Sequence, residues 1–231
     1  SFSESIRKAA PPKRIAYAST IGGAPVDKET RDITAKAMDY FRSMGTEVDE
    51  IVIEIEDLES TFLALRSHQF VIDRELQLKN HRDKIKKDII WNTELGLSQS
   101  TSDLARAERA RKKIYETFSS LFQEYDLIVT PGANTPAFDV NLRHPSMIDG
   151  EKLEHYMGAS LLTGAVTLSA SPALSLPSGF DKYERPVGLQ IVGRPRGEAS
   201  LLAAGSLFEK ASQLHKLVPL NPKKGVVPPL N

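Results

Sequence analysis

Four serines fall within ten residues of one small-residue passage: Ser169, Ser171, Ser175 and Ser178, in Ser-Ala-Ser-Pro-Ala-Leu-Ser-Leu-Pro-Ser-Gly. A serine hydroxyl attacks a carbonyl carbon only with a base in hydrogen-bond reach and donors aimed at the developing oxyanion. The passage supplies neither. No glycine pair flanks a serine pair, and the nearest lysine, Lys182, lies in a charged turn that exposes it to solvent. No Gly-x-Ser-x-Gly elbow occurs in the chain. Ala170, Ala173 and the intervening leucines instead fit a packed strand whose small side chains let neighbouring elements approach.

Other reactive groups are equally unassembled. The carboxylates Glu54, Glu56 and Asp57 cluster after a strand and read as a strand exit with a helix cap. The five histidines show no metal-binding spacing with a carboxylate, so no metal is expected. Lys84, Lys86 and Lys87 form a solvated helix face, with no glycine or aromatic platform for phosphate. Gly22-Gly23 follows a strand but lacks the spacing of a phosphate loop, which leaves a plain turn. With no cysteine, thiolate chemistry and disulfides are excluded.

The elements that must position these residues read as α/β. Residues 14–18 form a short strand. Asp27 caps a helix carrying Ile33, Ala37, Phe41 and Met44, closed by Gly45. Residues 47–53 form a second strand, and the βαβ unit predicts two parallel strands. A long helix follows with Leu58, Phe62, Leu65, Ile72 and Leu76 on one face. Residues 92–101 read as a connecting loop, and Ser102 or Asp103 as the cap of a helix bearing Leu104, Ala107, Ile114, Phe118 and Leu121. Residues 126–131 form a buried strand and residues 132–148 a long loop. A helix is expected from about residue 150 to 162. The strand from Ala173 is expected to end at Pro177; a second runs from Val187 to Val192, and a last helix begins near Glu198. The domain organisation predicted is one α/β domain over residues 1–231, with residues 1–12 a linker and 218–231 an extended tail.

The chain has 231 residues, enough for one large domain, and thirty basic residues balance thirty acidic ones. That balance provides no field for nucleic acid or an anionic membrane surface. No apolar run approaches spanning length, and the first residues lack a signal-peptide pattern. A cytoplasmic location is the expectation. The chain begins with Ser rather than Met, consistent with a piece of a longer parent.

Several segments, in order, resemble the later half of the amidase signature family. They are Pro12-Lys13-Arg14-Ile15-Ala16-Tyr17, Val26-Asp27-Lys28-Glu29-Thr30, and Tyr125-Asp126-Leu127-Ile128-Val129-Thr130-Pro131. The most specific are Ser171-Pro172-Ala173-Leu174-Ser175-Leu176-Pro177 and Pro186-Val187-Gly188-Leu189-Gln190-Ile191-Val192-Gly193. Where the family usually has Asn-Leu-Thr-Gly, this chain has Thr167-Leu168-Ser169-Ala170.

The resemblance implies a mixed sheet flanked by helices and a hydrolase of amide bonds that uses a Ser-Ser-Lys triad without a cofactor. It also implies that the triad belongs to an earlier half of the fold, so no catalytic residue is assigned here. This chain is then scaffold and substrate pocket, inactive alone. Ligands in open α/β sheets gather beyond the carboxyl ends of strands. That points to Thr130, Pro131, Asn134, Ser160 and Thr167 as substrate-binding. The partners implied are a small-molecule amide, the missing half of the fold, and other copies of the chain as a homo-oligomer. The alternative is a non-catalytic remnant acting as a binding or assembly module.

Overall fold

The computed structural model describes residues 1–217, so the tail expected at 218–231 lies outside the described residues. A five-stranded sheet is ordered β2-β1-β3-β7-β6, formed by β1 (Arg14–Tyr17), β2 (Glu47–Glu50), β3 (Leu127–Pro131), β6 (Ala173–Phe180) and β7 (Pro186–Val192). The βαβ reading holds: β1 pairs in parallel with β2 through α2 (Lys28–Arg42), and in parallel with β3 on its other side. The sheet then changes direction, since β7 runs antiparallel to β3 and β6 antiparallel to β7. A small hairpin, β4 (Met147–Ile148) and β5 (Glu151–Lys152), stands apart.

Strand alternation divides the core in two. Ile15, Tyr17, Leu127, Val129, Leu189 and Ile191 face α2 and α7 (Glu198–Ser212), where the rings of Phe41 and Phe208 lie 5.3 Å apart. Ala16, Ala18, Ile128 and Val192 face the opposite side. There they meet Ile114 and Phe118 of α5 (Thr101–Glu124) and Leu162, Ala165 and Val166 of α6 (Leu161–Leu168). Helix α2 starts as the sequence indicates, with the Asp27 carboxylate accepting from the Thr30 N–H at 3.1 Å.

Several local expectations are corrected. The lead-in, read as a linker, carries α1 (Phe2–Arg7), capped by Ser1 and packed on α7. Residues 92–101 are not a loop: α4 (Lys87–Leu97) takes most of them, and the next helix is capped by Ser100, with Asp103 closing a capping box. Asn92, Thr93 and Gly96 are weak helix formers. Tertiary packing decides the matter, because Asn92 and Thr93 are buried and a Cβ on Gly96 would overlap the Ser67 carbonyl of α3 (Leu58–His81). The apolar face assigned to α3 also runs out, for Ile72 and Leu76 are 65% and 73% exposed.

Nor does a helix begin at residue 150. Asp149 and Gly150 both take positive φ, the two-residue turn of the β4–β5 hairpin, and α6 starts at Leu161 after a 3-10 turn at Tyr156–Ser160. Strand β6 passes through Pro177 to Phe180, with an irregularity between Pro177 and Gly179. An edge strand tolerates the missing donor because only one of its sides is paired.

Tyr17 ties the sheet to α2. Its buried hydroxyl lies 2.8 Å from Thr34 Oγ1 and donates to the Arg31 carbonyl at 3.0 Å. Burial is the main cause that pushes its pKa from 10.0 up to about 12, and the Thr34 bond opposes it. A phenol whose folded-state pKa is raised contributes stability that is complete below the unfolded value and lost as pH rises through the folded one. The protein therefore loses about 2–3 kcal/mol of stability between about pH 10 and about pH 12 through this group. Urea unfolding across that range, compared with Tyr17→Phe, checks it: the variant shows a shallower alkaline decline.

Candidate functional site

Three sheet residues form a polar row on the α6 side. Thr130 stands opposite Gln190 across β3 and β7, and Gln190 opposite Ser175 across β7 and β6. The Gln190 amide nitrogen donates to Thr130 Oγ1 at 3.0 Å, and the Thr130 hydroxyl donates to the Pro131 carbonyl at 2.9 Å. Thr130 and Gln190 are buried, whereas Ser175 is exposed. The exposed positions of β6 on this face are Ala173, Ser175 and Pro177, while Leu174 and Leu176 pack toward α7. The helical cover on the α6 side thus stops short of β6.

Helix α6 points its apolar residues into the core and leaves one polar stripe. Leu161, Leu162, Ala165, Val166 and Leu168 are buried; Ser160 and Thr163 are half-buried and Thr167 is exposed. The Thr163 hydroxyl donates to the Ser160 carbonyl and the Thr167 hydroxyl to the Thr163 carbonyl. The start of this helix is held from α4. Trp91 lies against His155 and Tyr156, and Asn92 donates to the Tyr156 hydroxyl at 2.5 Å. His155 Nε2 is 3.3 Å from Glu59 Oε1.

The sequence-predicted residues therefore fall into two groups. Thr130, Pro131 and Asn134 belong to β3 and the segment after it; Ser160 and Thr167 belong to the α6 stripe. Thr130 shares the α6 side of the sheet. Asn134 is engaged elsewhere: buried, its side-chain Nδ2 donates to the Pro25 carbonyl at 2.7 Å, and its backbone carbonyl accepts from the Asp27 N–H at 2.8 Å. It locks the loop after β3 to the cap of α2.

None of the four signature serines is hydrogen-bonded to a lysine or histidine. Ser169 and Ser178 donate to the Val166 and Val187 carbonyls at 2.7 and 2.9 Å. The Ser171 hydroxyl is buried without a partner. Lys182 is 64% exposed, lies 3.9 Å from Glu29 and sits over the Tyr183 ring at 5.1 Å. Among the described residues no group of three or more His, Cys, Asp or Glu could hold a metal ion, and no helix is long and apolar enough to cross a membrane.

Two features were not singled out from the sequence. Gln190 is one; its signal is a lone carboxamide inside Val-Gly-Leu-Gln-Ile-Val. The other is the β6–β7 turn. Buried Asp181 accepts from Arg185 Nε at 2.6 Å and from the Tyr183 and Arg185 N–H groups, and Arg185 also donates to the Ala137 carbonyl at 2.8 Å. The turn thereby fastens the loop after β3. At that carboxyl edge lies a cleft of about 300 Å³. Two larger hollows lie elsewhere: about 820 Å³ between α1 and α7 at the amino end of β3, and about 730 Å³ between α5 and the acidic loop at residues 54–57.

Removing one buried partner of a hydrogen bond leaves the other unsatisfied, at about 1–3 kcal/mol. Thr130→Val therefore destabilises by that order, and Gln190→Leu in the same chain returns part of the loss. A double-mutant cycle by denaturant unfolding gives a coupling of about 0.5–1.5 kcal/mol; additive effects contradict the pairing.

The chain matches the family model described as Amidase over residues 1–202. A glutamyl-tRNA(Gln) amidotransferase component of Pediococcus pentosaceus is 33% identical over 168 residues, covering 72% of this chain and 31% of that protein. An acylamidase of Rhodococcus erythropolis is 26% identical over 198 residues, 85% of this chain and 42% of its own. A bacterial aryl acylamidase structure of the amidase signature enzymes gives a TM-score of 0.82 at 21% identity, covering 93% of this chain and 46% of its own. For 6-aminohexanoate cyclic dimer hydrolase the values are 0.76, 15%, 91% and 47%. The chain spans less than half the length of each of these relatives. At such identities the structural likeness establishes the fold. The family match, extending over most of the sequence, establishes the rest: the chain belongs to the amidase signature family.

Proposed function

We propose that this chain is the scaffold and pocket half of an amide hydrolase, and that a serine–lysine catalytic half completes it along β6. The observation that carries the reading is the asymmetry of the two sheet edges. At one edge β2 is four residues long, with Glu47, Asp49 and Glu50, and Arg14 pairs with Glu47 and Asp49. Charge and shortness close such an edge to further strands. At the other edge β6 offers eight residues without a charge, beside sheet positions whose α6-side face no helix among the described residues covers.

In this reading the catalytic half adds its strands to β6 and brings its serines over the α6 side of the sheet. The polar row Thr130–Gln190–Ser175 and the stripe Ser160–Thr163–Thr167 then line the chamber from below and from the side. A serine of the catalytic half attacks the amide carbonyl, and its proton passes through the second serine and the lysine to the leaving amine. Water then releases the acyl group. The present chain holds the amide and supplies no nucleophile.

The experiment is reconstitution. The isolated chain does not hydrolyse aryl or alkyl amides and is not labelled by a serine-reactive phosphonate; co-expression with the catalytic half of a related acylamidase restores hydrolysis. Labelling of Ser171 or Ser175 in the isolated chain contradicts the assignment. Docking without hydrolysis for any amide supports the binding-module alternative. An open β6 also predicts that the isolated chain self-associates and that Ser175→Lys returns it to monomer, by sedimentation velocity. A monodisperse wild-type monomer counts against the open edge.

A further inference from the structure

We propose that the cleft lined by Thr30, Pro136, Ala137, Phe138, Val187 and Gly188 is a subsite for an uncharged apolar group of the amide substrate, an aryl ring or a short alkyl chain. The inference rests on the chain being the pocket half of an amide hydrolase, and it narrows the substrate class. The cleft lies at the carboxyl end of β3, where the segment after that strand faces the start of β7 and the first turn of α2; in this proposal the substrate enters it over the carboxyl edge of the sheet, from the chamber on the α6 side.

Three observations select the ligand. The first is composition: the lining carries hydroxyls at Thr30 and Thr135 and no ionisable side chain. The second is the state of the surrounding charges. The amino end of α2 is already occupied by the Asp27 carboxylate, and Glu29 follows it in the first turn. Each nearby cation among the described residues has a partner. Arg31 pairs with Asp149 at 2.7 Å and donates to the Val26 carbonyl at 2.8 Å. Arg185 is held by Asp181 and the Ala137 carbonyl, and Lys182 faces Glu29. Among the described residues, a ligand carboxylate here meets acidic neighbours and no uncommitted cation. This disfavours amino-acid-like amides and favours neutral ones.

The third observation is rigidity. The Gly132 N–H donates to the Gly188 carbonyl at 2.8 Å, joining two walls. Asn134 fastens the loop to Pro25 and Asp27, and Arg185 fastens it at Ala137. A site with walls pinned pairwise is formed before the ligand arrives, so binding does not have to order a loop. At about 300 Å³ it sits at the small end of ligand pockets, sized for one ring or a short chain.

The test uses the intact chain and two matched probes, benzamide and 4-carboxybenzamide, followed by amide-resolved NMR titration. Benzamide is expected to shift the Ala137, Val187 and Gly188 signals. The carboxylated probe is expected to bind at least about tenfold more weakly. Ala137→Trp, at an exposed rim position, is expected to weaken benzamide by at least about tenfold while the spectrum stays dispersed. Val187→Ala enlarges the floor and shifts preference toward bulkier aryl amides.

Equal binding of the two probes overturns the proposal. So do shifts centred away from the cleft, or an Ala137→Trp chain that binds as well as wild type. If the catalytic half fills the cleft with its own side chain, adding it expels benzamide, and that too overturns the proposal. Because the titration needs no turnover, it separates this inference from reconstitution: benzamide can occupy the cleft of a chain that never yields a hydrolase, and an active hydrolase can leave the cleft empty.

Discussion

Everything in this fold hangs on β3. Its residues from Leu127 to Pro131 are all buried, and both of its sides are hydrogen-bonded, in parallel to β1 and antiparallel to β7. A strand in that position has no spare donor or acceptor, so the segments on either side of it must settle together. It joins a locally folded βαβ unit to a hairpin some sixty residues further along the chain. The loop that leaves it is then fixed by Asn134 and Arg185, which turns a flexible connection into the wall of a cleft.

The sheet has one finished side and one unfinished side. Toward α2 and α7 the apolar residues of β1, β3, β7 and β6 are covered, down to Leu174 and Leu176 on the last strand. Toward α5 and α6 the cover ends before β6, and small side chains are left there instead of large ones. Ala173, Ser175 and Pro177 offer little apolar area to water. That arrangement suits a surface that receives another layer and a ligand beneath it. The same division separates two kinds of polar residue. Thr130 and Gln190 satisfy each other under the unfinished side, whereas Asn134 spends its bonds on holding α2 to the loop.

Much of this was legible in the residues, and the limits have physical causes. The βαβ unit, the Asp27 cap and the two signature strands depend on contacts close in sequence, and they start where the pattern puts them, although β2 stops at Glu50 and β6 runs on past Pro177 to Phe180. The α4 segment misleads because its local propensity is poor and its helix is imposed by packing: Asn92 and Thr93 are buried, and Gly96 lies against Ser67 of α3. Ile72 and Leu76 keep the helical period, but a 24-residue helix is about 36 Å long and outreaches the core it starts on. The Asp149-Gly150 turn carried a clear hairpin signal that a helix reading overrode. Of the candidate residues, Thr130 and Asn134 were chosen from topology alone, and their different hydrogen-bond partners are distant in sequence. Gln190 and the Asp181–Arg185 brace take their meaning from β3 and the Ala137 carbonyl, which no local pattern reveals.

The central claim is that β6 is an open edge awaiting a catalytic half. Hydrogen–deuterium exchange of residues 173–180, in the chain held monomeric by dilution, tests it most directly. The account predicts fast exchange at the β6 amides that do not face β7, and strong protection of those amides when the catalytic half of a relative is added. Full protection in the monomer alone, or no gain on addition, would contradict it.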